Sequence, residues 1–232
     1  MTASLEILLV DEHLAAVAKP PGRIVVPGRG GVERTVREEA AGILGPLWVV
    51  HRLDRGTSGV LLFARSADVH RSLCAVFEGH RISKRYLALV RGEVAGDLRI
   101  DVPVAPGRKG RMRAGEGLPG ARPSTTFVRA VVSFGGLATL VEAFPASGRT
   151  HQVRIHLAHA GHPLVVDPDY GEPAPWRVPG GSATLERTPL HAASLEFLHP
   201  VTGVPVRAEA PIPSDMQGVL AELRAAQASK SG

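Results

Sequence analysis

The sequence predicts one α+β domain built on a mixed, mostly antiparallel sheet with flanking helices. Three observations carry this. Short apolar runs recur in pairs joined by Gly- and Pro-rich turns. Segments with apolar residues at helical spacing fall irregularly between those pairs. No internal repeat or clean linker divides the 232 residues, and 44% hydrophobic with 21% charged content is that of an ordinary globular chain with a sizeable core.

The elements follow in order. Residues 5–19 read as a hairpin, apolar over 5–10 and 14–18 with Asp11-Glu12-His13 between, and Lys19-Pro20-Pro21-Gly22 ends it because proline removes a ladder donor. Residues 27–31 form a Pro/Gly-rich loop, and 35–44 a short helix with Glu38 and Glu39 facing solvent. The run Val60-Leu61-Leu62-Phe63-Ala64 is a buried segment. Ser66 then reads as an N-cap with Asp68 in the first turn, Val69, Leu73, Val76 and Phe77 at helical spacing, and Gly79 as terminator. Residues 84–92 form a strand closed by Gly92, and 103–123, rich in Gly, Pro and Arg, an exposed loop or loosely ordered hairpin. Residues 127–134 and 137–144 pair across Gly135-Gly136. Residues 150–160 are helical, 171–189 a surface loop, 194–198 and 204–208 a last strand pair, and 215–232 a C-terminal helix with a frayed tail.

Composition excludes several classes. The single cysteine, Cys74, forbids an intramolecular disulfide or a cysteine-rich zinc site, and its apolar-periodic surroundings predict a buried structural thiol. The four apolar residues Ile7 to Val10, stopped by Asp11 and Glu12, are too short for a signal peptide, and no run reaches the roughly 18 residues of a membrane span. A cytoplasmic chain is expected. The net charge of +5 suits a polyanionic partner without establishing one. No Walker loop, dinucleotide fingerprint or nucleophilic serine motif is present.

The residues able to carry chemistry centre on His51-Arg52-Leu53-Asp54-Arg55-Gly56-Thr57-Ser58-Gly59. Arginines on either side of Asp54 favour its ionised form. Such an Asp can be a nucleophile, a general base or a structural ion-pair partner, and the chemistry alone leaves all three open. In Gly148-Arg149-Thr150-His151-Gln152-Val153-Arg154-Ile155-His156, helical spacing puts His151 and Arg154 on one face. His151, His156, His159 and His162 match a helical face only in part and lack an acidic or thiol partner, so no metal is expected. Tyr86, one of two tyrosines, can pack on the sheet, stack on an RNA base or move a proton. Arg108-Lys109-Gly110-Arg111-Met112-Arg113 holds four cations in six residues, a solvated loop able to neutralise phosphates.

Taken together and in order, these stretches resemble the RluA-type pseudouridine synthase family. His51 to Ala64 is similar to its nucleophile motif, and Lys84-Arg85-Tyr86-Leu87-Ala88-Leu89-Val90-Arg91-Gly92 to its tyrosine motif. Gly148 to His156 with Gly161 to Gly171 resembles the arginine motif and its sequel. The stretch from Ile7 to Gly22 resembles the opening motif, and Leu190-His191-Ala192 with 195–200 the closing one. The resemblance spans about residues 5–205 and implies the pseudouridine synthase fold with a central RNA-binding cleft. It implies isomerisation of specific uridines in structured rRNA or tRNA without cofactor or metal, and since nothing in the sequence suggests more than a monomer, a monomer is expected.

Carried over by position, Asp54 is the nucleophile, Arg154 pairs with it, and Tyr86 packs against the uracil. Arg52 fills the space of the flipped base. His51, Arg149, Arg108, Lys109 and Arg111 are expected substrate contacts. Gly56 stands where many relatives carry Asp, and Ala18 where Asn is frequent. The chain is expected to begin at the catalytic domain without an S4 RNA-binding domain. A catalytically silent RNA-binding protein on the same fold is the rival reading, against which the intact set Asp54, Tyr86 and Arg154 argues.

Overall fold

The computed structural model describes residues 5–28 and 33–229, the Lys109 side chain excepted. The expected loop at 27–31 is thus described only in part, and the tail at 230–232 lies outside the described residues. In chain order the elements are β1 (Glu6–Val10), β2 (Leu14–Lys19), α1 (Val36–Leu44), β3 (Trp48–Val49), β4 (Ser58–Ala64), α2 (Ala67–Glu78), β5 (Ile82–Arg91), β6 (Leu98–Asp101) and β7 (Val104–Pro106). There follow β8 (Met112–Ala114), β9 (Thr125–Ser133), β10 (Ala138–Pro145), α3 (Gln152–His159), β11 (Trp176–Arg177), β12 (Thr184–Leu185), β13 (Leu190–Leu198), β14 (Pro205–Glu209) and α4 (Ser214–Ala228). The α+β class is as the sequence predicts. The chain groups into two compact units, one of residues up to Lys84 with His191–Pro211, the other of Arg85–Leu190 with the residues from Ile212 on.

In the first unit β4 is the hub. It pairs antiparallel with β2, from Leu14↔Ala64 to Lys19↔Gly59, and parallel with β13 through His191↔Ser58 and Ala192↔Gly59. Strand side chains alternate between faces. Val60, Leu62 and Ala64 accordingly join Val69, Leu73 and Val76 of α2, while Leu61 and Phe63 join Val36 and Ala40 of α1. A strand covered on both faces reads as a continuous apolar run, and all of β4 is buried. Ser66 caps α2 by accepting from Val69 N, and Thr35 with Glu38 forms a capping box on α1. Glu38 is exposed, whereas Glu39 pairs with Arg23. Gly59 has φ +117°, and a Cβ there would sit 2.1 Å from the Ala192 carbonyl oxygen, so the approach of β13 to β4 requires glycine. Cys74 is half-buried rather than buried, its Sγ 3.5 Å from His70 Nε2 at the margin of α2.

In the second unit β5, β10, β9 and β6 lie side by side in that order, every pair antiparallel, with the β9–β10 hairpin in the middle. Gly135 and Gly136, both at positive φ, make the expected turn between β9 and β10. Val153 and Leu157 of α3 pack on Ala88, Val90, Val141 and Ala143. Two expected loops are more ordered than composition suggested. Residues 103–123 contain the paired hairpin β7–β8, with Val104 and Ala105 buried. Residues 171–189 contain β11–β12, with Trp176, Val178 and Leu185 buried. This second insert is fastened to α4 by Glu222, whose carboxylate accepts the backbone N–H groups of Ser182 and Ala183.

Candidate active site

The Asp54 loop belongs to the first unit and is pinned to the 19–22 turn. Lys19, 1% exposed, donates from Nζ to the carbonyls of Pro20 (3.0 Å) and Arg55 (3.2 Å). Gly22 N donates to the same Arg55 carbonyl at 2.8 Å, and the Arg55 guanidinium pairs with Glu33. Within the loop Thr57 N donates to Asp54 O at 3.1 Å, closing a turn. Leu53 is buried as the anchor, which leaves Arg52 exposed and Asp54 half-buried. A buried ammonium satisfied by carbonyls holds backbone, so the loop keeps one shape before any substrate arrives. Lys19 was not singled out from the sequence, where it reads only as the residue before two prolines.

His51 is held in place by the protein around it. Its Nε2 accepts Leu62 N–H at 3.0 Å, and its ring stacks on Phe77 with centroids 4.9 Å apart. Burial, helped by the Lys84 charge, pushes its pKa down to about 3. The ring is therefore neutral at physiological pH and acts as a strut between β4 and α2, where a phosphate would want a cation. Beyond the loop, Ser58 Oγ lies 3.0 Å from His191 Nδ1, and His191 Nε2 donates to the Ala210 carbonyl at 3.1 Å. That bond fixes the tautomer and makes Ser58 the donor to Nδ1.

In the second unit the start of α3 carries the arginine motif. The helix begins at Gln152 rather than at 150, because His151 is left-handed with φ +57° and so does not continue the Arg154 face. Gln152 Oε1 accepts from Ser147 Oγ (2.7 Å) and Arg149 N (3.0 Å), while its Nε2 donates to the Thr125 carbonyl (2.9 Å). The loop presenting Arg149 is thus tied to β9. Arg154 is 5% exposed and meets Asp167 through Nε (2.8 Å) and Nη2 (2.6 Å), the fork geometry that favours Arg–carboxylate pairs. Its Nη2 also donates to Asp169 Oδ2 at 2.8 Å.

Asp169 accepts in addition from Arg111 Nε at 3.2 Å. Partial burial pushes the Asp169 carboxyl up, but the Arg154 bond and charge, with His151 and Arg111, outweigh it and hold the group below the usual carboxylate range. The Tyr170 ring lies 5.1 Å from the Arg154 guanidinium, and its hydroxyl takes Met112 N–H (2.8 Å) and faces His151 Nδ1 (2.8 Å). Burial raises the Tyr170 pKa, leaving a neutral hydroxyl. Asp167, Asp169 and Tyr170 were absent from the sequence-derived site. The available signal was that an arginine on an apolar helix requires anions nearby.

Tyr86 is half-buried on β5, opposite Ala143 of β10, and packs on the core of its unit. Arg108 is exposed in the turn of the β7–β8 hairpin. The structure therefore brings Arg154 and Arg111 to one carboxylate, groups His51, Arg52 and Asp54 on one loop, and leaves Arg108 outside both arrangements. His156 is buried between Thr126 Oγ1 (2.9 Å) and the Val102 carbonyl (2.9 Å), a structural role that lowers its pKa through desolvation. Among the described residues no three His, Cys, Asp or Glu side chains cluster as a metal site, and no helix is long and apolar enough to cross a membrane.

The family model described as RNA pseudouridylate synthase matches residues 13–159, a span that contains Asp54, Tyr86 and Arg154. The chain belongs to the RNA pseudouridylate synthase family, whose enzymes isomerise uridine in RNA to pseudouridine. It is 39% identical over 232 residues to ribosomal large subunit pseudouridine synthase C of Escherichia coli, covering 95% of this chain and 70% of that protein. It is 34% identical over 234 residues to ribosomal large subunit pseudouridine synthase D of Xanthomonas campestris, with the same coverages of 95% and 70%. The solved human RNA pseudouridylate synthase domain containing 4 shares the fold, with TM-score 0.76 at 24% identity over 94% of this chain and 93% of that one.

Proposed function

We propose that residues 1–232 act as a single catalytic domain that isomerises uridine in ribosomal RNA, with Asp54 as nucleophile. The observation that carries this is the pinned Asp54 loop: a half-buried carboxylate, flanked by two arginines, on backbone clamped by the buried Lys19. Pre-set geometry of that kind is what a nucleophile needs. The isomerisation breaks the N1–C1′ bond of the target, turns the uracil, forms a C5–C1′ bond, and moves a proton from C5 to N1. It needs no cofactor or metal.

In this reading Arg154 pairs with Asp54 and keeps it ionised and oriented. Tyr86 packs against the uracil and assists loss of the C5 proton. Arg52 fills the space left by the flipped base. Arg149, Arg108, Lys109 and Arg111 grip the backbone, and His51 borders the substrate beside Arg52. The names of the relatives favour ribosomal over transfer RNA. The enzyme works as a cytoplasmic monomer. The test incubates purified protein with large-subunit ribosomal RNA and with tRNA, and measures pseudouridine. Product in ribosomal RNA, absent with Asp54→Asn although RNA is still bound, is expected. Product in tRNA alone would overturn the substrate, and product with Asp54→Asn the nucleophile.

A further inference from the structure

Asp169 stands between two arginines of different character. Arg154, on its Oδ2, is 5% exposed, and Arg111, on its Oδ1, is 57% exposed. Arg154 does not need Asp169 for neutrality, because Asp167 already gives it a fork and is itself held by the backbone N–H groups of Asp169 and Tyr170. Asp169 is the second carboxylate, and it faces outward. Arg111 also donates to the Pro168 carbonyl at 3.2 Å. The next residue, Met112, donates its N–H to the Tyr170 hydroxyl, and the Tyr170 ring lies against Arg154. The cationic β7–β8 hairpin is thus fastened at Pro168, Asp169 and Tyr170, of which Asp169 and Tyr170 touch Arg154 directly.

We propose that Arg111 and Asp169 are positioning residues that couple RNA-backbone contact at the 104–114 hairpin to the orientation of Arg154. A phosphate oxygen on the open side of the Arg111 guanidinium extends an alternating series: phosphate, Arg111, Asp169, Arg154. Planar guanidinium groups transmit orientation because their donors are fixed in one plane. A phosphate that fixes Arg111 outside therefore fixes Asp169, and through it Arg154, inside. RNA held only by other cations gains affinity without that alignment. The inference rests on the role of Arg154 proposed above.

The experiment is a double-mutant cycle on kcat at saturating RNA, with Arg111→Ala, Asp169→Asn and both. Each single change is expected to lower kcat about 10-fold, with no further loss in the double, because contacting residues in one network are not additive. Arg113→Ala, on the same hairpin, raises KM alone, and Arg111→Lys recovers KM but not kcat. A full second loss of kcat in the double variant, or an Arg111→Ala effect confined to KM, overturns the coupling. If Asp169→Asn does not fold, the cycle is run with Asp169→Glu, whose longer arm displaces the bridge, and the same non-additivity is expected. Arg154→Ala separates the two claims. If it turns over normally, the role of Arg154 fails; if it is inactive while the cycle is additive, only the coupling fails.

Discussion

Replacing Arg154 by alanine should cost stability as well as activity. Arg154 is 5% exposed and its partner Asp167 1%, and three bonds of 2.6 to 2.8 Å join it to Asp167 and Asp169. Removing the guanidinium leaves Asp167 as a buried anion supported only by two backbone N–H groups among these contacts. Breaking a buried pair from one side typically costs about 3 to 5 kcal/mol. For a chain of this size each kcal/mol moves the melting temperature by about 2 to 4 °C, so a fall of about 6 to 20 °C is expected. Urea unfolding of Arg154→Ala, Asp167→Asn and the double variant measures it. The double should be less destabilised than the sum of the singles, since it no longer strands a charge. A loss below about 1 kcal/mol in Arg154→Ala would refute the reasoning, because it would mean that Asp167 does not depend on its counter-ion. Activity of Arg154 variants is accordingly compared below their own melting range.

Gly59→Ala forces a Cβ to within 2.1 Å of the Ala192 carbonyl at φ +117°, and should cost about 2 to 6 kcal/mol by overpacking and backbone strain; an unchanged melting curve would contradict the close approach of β13. His51 is held neutral with a pKa of about 3, against 6.5 when unfolded, so only the unfolded state takes its proton between those values and stability falls as pH drops from about 6.5 toward 3. The slope difference between wild type and His51→Gln, up to about 1.4 kcal/mol per pH unit, measures this, and identical slopes would refute it. RNA affinity should fall steeply with salt, with a log–log slope about one unit shallower for Arg108→Ala; an unchanged slope would remove Arg108 from the phosphate contacts.

What the sequence disclosed follows the range of the forces involved. The Ser66 cap, the Gly135-Gly136 turn and the two-faced burial of β4 are set by neighbours in the chain, and the structure has each where it was expected. The Asp54 motif is equally local. By contrast, β12 packs against α4, whose Glu222 clamps Ser182 from 40 residues on, so a Pro/Gly-rich composition concealed β11–β12. The carboxylates serving Arg154 lie 13 and 15 residues beyond it, after a turn whose path no periodicity reveals. His51 sits in the same motif as Asp54, yet the contacts that make it a strut come from Leu62 and Phe77. Gly59 stands in the sequence only as the last residue of the Asp54 stretch, whereas its necessity comes from a strand more than 130 residues away.

The most direct test of the central claim maps pseudouridines across total RNA from cells with and without this gene, complemented by wild-type protein or by Asp54→Asn. Loss of one or a few ribosomal RNA sites on deletion, restored by the wild type and not by Asp54→Asn, is the predicted result. Restoration of those sites by Asp54→Asn would contradict Asp54 as the nucleophile.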